Sequence, residues 1–181
     1  MRKNIIIKPR KPVLARDFFC AIKLNKSQVD YGNLKSKKEL KDFKEQIDRH
    51  ITIMGGVDRF KSALYKFSAK ERRKKIIKLK SILKSLKWQY VQKDIYFVNR
   101  KSYYGDSRVL EHRKSYIRLI EMPDMDVFYR KLNILLKTHI PTQFPHITLF
   151  AKGERPNAPW RGILIPSKSK FRKLHPIKIK D

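Results

Sequence analysis

Apolar positions along the chain recur with two periods, and the two alternate. Period two marks strands and a period near 3.6 marks helices. The run Phe18-Phe19-Cys20-Ala21-Ile22-Lys23-Leu24 predicts a strand. Ser36-Lys37-Lys38-Glu39 is a capping-box pattern, followed by Leu40, Phe43 and Ile47 at helical spacing, and predicts a helix over 36–48. A strand beginning at His50 ends at Gly55-Gly56. A second capping box, Ser68-Ala69-Lys70-Glu71, opens the longest helix, whose stripe is Ile76, Leu79, Leu83 and Leu86. Strands over 90–99 and 114–121 flank a polar hairpin loop, 100–113, that contains Tyr103-Tyr104-Gly105-Asp106. Pro123 and Asp124 lead into a helix that turns Val127, Phe128, Leu132, Leu135 and Leu136 inward. A strand from His146 to Phe150 follows, then a loop over 152–161 and short strands over 162–165 and 177–179.

One tetrapeptide pattern occurs twice, as His50-Ile51-Thr52-Ile53 and as His146-Ile147-Thr148-Leu149. On a strand, residues two apart share a face, so each copy presents an imidazole and a hydroxyl together and buries its aliphatics behind them. With 5 His in 181 residues, about 0.1 His-x-Thr patterns are expected by chance. A single copy would be read as a structural pair on a half-buried strand. Two copies on matching elements point to a site. Each copy ends a strand–helix–strand unit, and the 96-residue offset between the histidines also brings Ala21 onto Ile117. Each unit is too small to bury its own face. The two should pair about a pseudo-twofold, with the His-Ile-Thr strands meeting across one cleft.

Composition bounds the partners. The 181 residues suit a single two-lobed domain over 17–181, preceded by a basic arm over 1–16 that carries Pro9 and Pro12 and one edge strand at 5–7. With 45 Lys+Arg against 16 Asp+Glu, the formal net charge is +29, which attracts polyanions, RNA or DNA first. The cationic face of the long helix, Arg72, Arg73, Lys74, Lys78, Lys80 and Lys84, is a solvated surface or a phosphate-backbone rail. The one cysteine, Cys20, excludes an internal disulfide. No apolar run is long enough for a membrane span or a signal peptide. The expectation is a cytoplasmic monomer that uses no membrane.

Two imidazoles facing one cleft suit phosphodiester chemistry. A neutral ring takes a proton from water or a hydroxyl, and a protonated ring gives one to the leaving oxygen. Thr52 and Thr148 would hold the phosphate between them. This chemistry requires no metal or other cofactor, and the five histidines do not fall at zinc-site spacings. On the strand over 115–120, Ile117 and Leu119 are expected to face helices, leaving Tyr116 to stack on a base and Arg118 to pair a phosphate in the cleft. Tyr103 and Tyr104 are further stacking candidates. His112, His139 and His175 lack a hydroxyl two residues on and are read as surface or loop residues. Gly162 permits a close backbone approach or marks a strand start.

The paired motifs, the Phe-Phe-x-Ala-Ile-x-Leu strand and the duplicated plan resemble the two-histidine (2H) phosphoesterase superfamily. That group includes the RNA 2′,3′-cyclic phosphodiesterases, also called 2′–5′ RNA ligases. The resemblance runs from about Phe18 to Ile165. It implies a bilobal α+β fold in which two antiparallel sheets form a concave cleft with helices outside. It also implies metal-free action on cyclic or 2′–5′ phosphodiesters, with His50 and His146 as the acid/base pair and Thr52 and Thr148 as phosphate ligands. The expected function is a phosphodiesterase acting on RNA or nucleotides. Two alternatives are a hydrolase of cyclic oligonucleotide signals and a catalytically idle, basic RNA-binding module.

Overall fold

The computed structural model describes residues 6–36, 38–55, 57–103, 110–154 and 162–180. Its strands in chain order are β1 (Ile6–Ile7), β2 (Val13–Leu14), β3 (Cys20–Lys23), β4 (Lys44–Glu45), β5 (His50–Met54), β6 (Tyr90–Tyr103), β7 (Leu110–Glu121), β8 (His146–Gly153) and β9 (Ile177–Lys178). The helices are α1 (Val57–Leu64), α2 (Ala69–Ser85), α3 (Asp124–Leu136) and α4 (Lys168–Arg172). The class is α+β, with an antiparallel sheet in the order β1-β6-β7-β8-β5-β3-β2 and with β4 added to β8 and β9 to β6.

The sheet curls because the chain forces it to. β1 and β2 lie on opposite edges of a seven-strand path, yet only residues 8–12 connect them. That connection reaches about 22 Å at most, whereas a flat sheet of seven strands is about 29 Å across. The expected edge strand near residue 6 is therefore one of two clasps by which the basic N-terminal segment holds both rims.

The concave demand is met by two apolar layers. On one face, Trp88, Phe60, Phe128, Leu79 and Met125 are fully buried among the helices, with Trp88 and Phe128 rings 5.7 Å apart. On the other, Val98 and Ile117 pack beneath Ile163, Ile165 and Phe171 of the C-terminal segment. β6 serves both layers by alternation, since Ile95 and Phe97 join the first cluster and Tyr96 and Val98 the second.

Several expectations shift. Residues 36–48 are not an α-helix: 3₁₀ turns over Gly32–Ser36 and Lys38–Asp42 lead into β4. The free edge of β8 takes this segment, with Lys44 opposite Ala151, Glu45 opposite Phe150, and the Gln46 amide donating to the Leu149 carbonyl at 2.9 Å. Ladder bonds outweigh a capping pattern whose third apolar residue, Ile47, stays 90% exposed. α1 follows Gly55 without having been anticipated, and Phe60, Ala63 and Leu64 are its buried face. Residues 162–165 join no strand among the described residues, with Ile163 and Ile165 inward and Leu164 45% exposed. The β6–β7 hairpin is longer than expected, running to Tyr103 and resuming at Leu110. The expected pair of separate sheets is joined into one by β5 and β8, whose register partners are Ile51 and Ile147.

The strand registers keep the 96-residue offset throughout. Ala21 pairs Thr52, Ile22 pairs Ile51 and Lys23 pairs His50. Ile117 pairs Thr148, Arg118 pairs Ile147 and Leu119 pairs His146. Each ladder also slips at the equivalent place, between Cys20 and Ala21 and between Tyr116 and Ile117. The extra residues are Ile53 and Leu149, and beyond them Met54 and Phe150 also turn into the main core. A bulge that breaks alternation just after the threonine lets each strand present His and Thr to one face and then commit fully to the core.

Candidate active site

His50, Thr52, His146 and Thr148 all line one cavity of about 490 Å³. The register of the Ile51–Ile147 pair sets His50 opposite Thr148 and Thr52 opposite His146. Each imidazole thus neighbours the hydroxyl of the other motif across the strand junction. Ile51 and Ile147, the residues between, are wholly buried on the other side.

Both rings are oriented in the same way. His50 Nδ1 donates to the Asp48 carbonyl at 2.8 Å, and His146 Nδ1 donates to the Phe144 carbonyl at 2.9 Å. A carbonyl oxygen only accepts, so each neutral ring carries its proton on Nδ1 and keeps its lone pair on Nε2. The segment that carries the Asp48 carbonyl is itself held on both sides. Gln46 is tied to β8, Arg49 donates to Tyr31 and Glu45, and the Arg49 carbonyl accepts from the Leu24 amide at 2.9 Å.

The two sites differ in depth. His146 is 8% exposed, and burial holds its pKa below the usual 6.5. Hydrogen bonding to the Phe144 and Ile163 backbone offsets part of that, and the neighbouring His50 adds to it. His50 is partly exposed, with the Phe19 ring edge-on to it at 5.9 Å. Phe19 reaches the cavity because Phe18 adopts φ 71° and turns its own ring into the core against Phe60.

Each threonine has a glycine against it. A Cβ on Gly162 would stand 2.7 Å from Thr148 Oγ1, and one on Gly55 would stand 2.9 Å from Thr52 Cγ2. The close backbone approach anticipated at Gly162 is therefore present, and its object is the motif hydroxyl itself.

Tyr116 and Arg118 are not in the cleft. Thr148 and His146 are paired with Ile117 and Leu119, and cross-strand partners share a face. Tyr116 and Arg118 consequently point the other way. Tyr116 packs in the main core against Phe43 and Phe97. Arg118 is 3% exposed and donates to the Lys93 carbonyl at 2.6 Å while pairing Asp30 at 3.2 Å. Sequence reasoning assigned the apolar parity to the helices without allowing for the second apolar layer over the cleft face. Tyr104 and the Tyr103 side chain lie outside the described residues. His112 sits on β7 rather than in a loop, with its amide donating to Glu154 at 3.0 Å.

The corrected parity exposes a residue that sequence reasoning missed. Arg113 lies on the same face of β7 as Ile117, and it lines the cavity. Among the described residues no group of three or more His, Cys, Asp or Glu could hold a metal ion, and no helix is long and apolar enough to cross a membrane.

No family model matches the chain, and no curated protein or solved structure matches it either.

Proposed function

We propose that this protein is a two-histidine phosphodiesterase that opens 2′,3′-cyclic phosphates or cleaves 2′–5′ linkages in RNA or nucleotides. One observation carries the reading: two His-Ile-Thr strands, equivalent in register, bulge and histidine hydrogen bond, deliver their imidazoles and hydroxyls to one cavity. We take the chain as a duplicated strand pair with a local pseudo-twofold through Ile51 and Ile147, each half giving one side of a concave cleft. The fit to a superfamily pattern comes from the motifs and this arrangement together.

The geometry favours a division of labour. Buried His146 stays neutral near pH 7 and serves as base, its Nε2 taking a proton from the attacking water. More accessible His50 serves as acid, its protonated Nε2 passing a proton to the leaving 2′ or 3′ oxygen as the P–O bond breaks. The phosphate rests between Thr52 and Thr148. In the reverse direction the two roles exchange. Solvent then returns the proton to His50 and removes the one on His146.

The pH dependence follows from His146. A base with a lowered pKa remains active as pH falls past 6.5 and fails only when pH drops through its folded value. The unfolded chain binds this proton first, so the same group contributes full stability above about 6.5 and loses it as pH falls. The kcat/KM profile should therefore have its acid limb below 6.5. The melting temperature should fall between pH 7 and 5, and less so in His146→Ala. An acid limb above pH 7 would contradict the assignment of His146 as base.

The direct test is hydrolysis of a 2′,3′-cyclic nucleotide and of a short RNA with a cyclic end, in excess EDTA, alongside His50→Ala and His146→Ala. Turnover that either substitution leaves intact would end the reading.

A further inference from the structure

The cavity extends past the two motifs toward the β6–β7 hairpin, and the side chain met there is Arg113. Its guanidinium donates through Nη2 to Glu111 Oε2 at 2.6 Å, and Glu111 is 4% exposed. The carboxylate fixes the plane of the fork without using it up, for Arg113 Nε is buried and has no hydrogen-bond partner. Ser115, next on the same face of β7, also has a buried hydroxyl without a partner. Buried donors without partners are costly, and a bound oxyanion supplies the missing acceptor.

Charge along the hairpin agrees. Arg100 stands directly opposite Arg113 in the β6–β7 ladder, and Arg100 is exposed. Like charges at opposed positions destabilise a strand pair. Among the described residues Arg100 and Arg113 set two guanidinium charges beside the Glu111 carboxylate on this part of the hairpin.

Distance sets what the anion can be. Arg113 lies four residues along β7 from Ile117, the partner of Thr148, which is about 13 Å between backbones. The guanidinium is held by Glu111, on the side of Arg113 away from Ile117, and Arg113 and Thr148 line the one cavity. The gap is too long for one phosphate to touch both groups. It suits two successive phosphates of a single strand.

We propose that Arg113, oriented by Glu111, is the seat of a second phosphate one nucleotide from the scissile one, so that the substrate is an oligonucleotide and not a mononucleotide. This rests on the phosphodiesterase reading above. Arginine fits the task because its planar fork binds a phosphate through two bonds while a third bond holds it in place.

The test compares two substrates on one enzyme. For wild type, Arg113→Gln and Arg113→Lys, kcat/KM is measured on a 2′,3′-cyclic mononucleotide and on a tetranucleotide RNA ending in a 2′,3′-cyclic phosphate. Calorimetry in parallel measures binding of a 3′-mononucleotide and of a 3′-phosphorylated tetranucleotide. Arg113→Gln should lose about 10- to 100-fold on the tetranucleotide, through KM, the size of a charged hydrogen-bonded contact. It should stay within about twofold on the mononucleotide, because the contact is absent there. Arg113→Lys should recover part of the loss, and unchanged melting curves keep the effect apart from misfolding. Equal losses on both substrates, or none on either, overturn the second-phosphate seat. If neither substrate turns over, the phosphodiesterase reading fails, and the split in binding affinity alone decides the subsite. Wild type that binds neither ligand overturns it as well.

Discussion

His50→Ala and His146→Ala should each lower turnover of a 2′,3′-cyclic phosphate by about 10²- to 10⁴-fold, the usual worth of a positioned acid or base. The two losses should not add, because the pair acts as a unit and removing either ring leaves the other without a partner reaction. The double substitution is expected within about tenfold of the worse single one. The shape of the losses should differ. His50→Ala removes the group that protonates the leaving oxygen, so a substrate with a good leaving group, such as a nitrophenyl phosphodiester, should recover much of its rate. His146→Ala removes the base, and no leaving group rescues it. Rescue in the opposite variant would reverse the acid and base roles and leave the phosphodiesterase reading standing. A third outcome separates the remaining alternative. If the wild type shows no turnover and RNA binding survives both substitutions with a steep salt dependence, the +29 charge is the function and the cavity is idle.

How much of this was legible beforehand depends on what each feature needs. The motif residues, their facing and their meeting in one cavity were readable because period two is a local property and the repeat supplied the long-range partner. The 96-residue offset went further than expected, extending to the register slips at Cys20/Ala21 and Tyr116/Ile117. The unit between the strands was not readable. The capping box at Ser36 was real as a pattern, but the segment after it answers to the open edge of β8, which no local signal announces. The same limit explains the reversed parity of β7. Tyr116 and Arg118 look functional and Ile117 and Leu119 look like core, and a one-sided sheet would have made that correct. The C-terminal segment instead covers the cleft face with Ile163, Ile165 and Phe171, so apolar residues lie on both sides and parity alone does not decide. Once Thr148 is known to pair Ile117, the whole face follows by twos, and Arg113 appears on it.

Gly162→Ala should lower kcat about 10- to 100-fold while leaving the histidines untouched. The added methyl would lie 2.7 Å from Thr148 Oγ1, 3.0 Å from Cγ2 and 3.3 Å from Cβ. A change of rotamer does not relieve this. Threonine places two γ atoms in three staggered positions, two of which lie within 3.0 Å of the methyl, so every rotamer keeps at least one of them there. The backbone at 162 or the β8 strand must yield by a few tenths of an ångström. β8 is held on both sides by β7 and by β4 and β5, so the displacement falls on the hydroxyl and on the segment through Ile163. Misplacement on this scale in a phosphate-holding group is worth up to about 10²-fold in rate, and overpacking costs about 1–3 kcal/mol in stability. Thr148→Ala decides whether the rate loss runs through the hydroxyl. It removes both γ atoms and with them the tight contacts at 2.7 and 3.0 Å, while costing whatever the hydroxyl contributes to holding phosphate. If Gly162 acts by leaving room for Thr148, Gly162→Ala in the Thr148→Ala background should change kcat by less than about threefold, a large non-additivity between touching residues. Fully additive losses would mean that the glycine serves the path of residues 162–165 instead, and that the hydroxyl opposite it is not what the close approach protects.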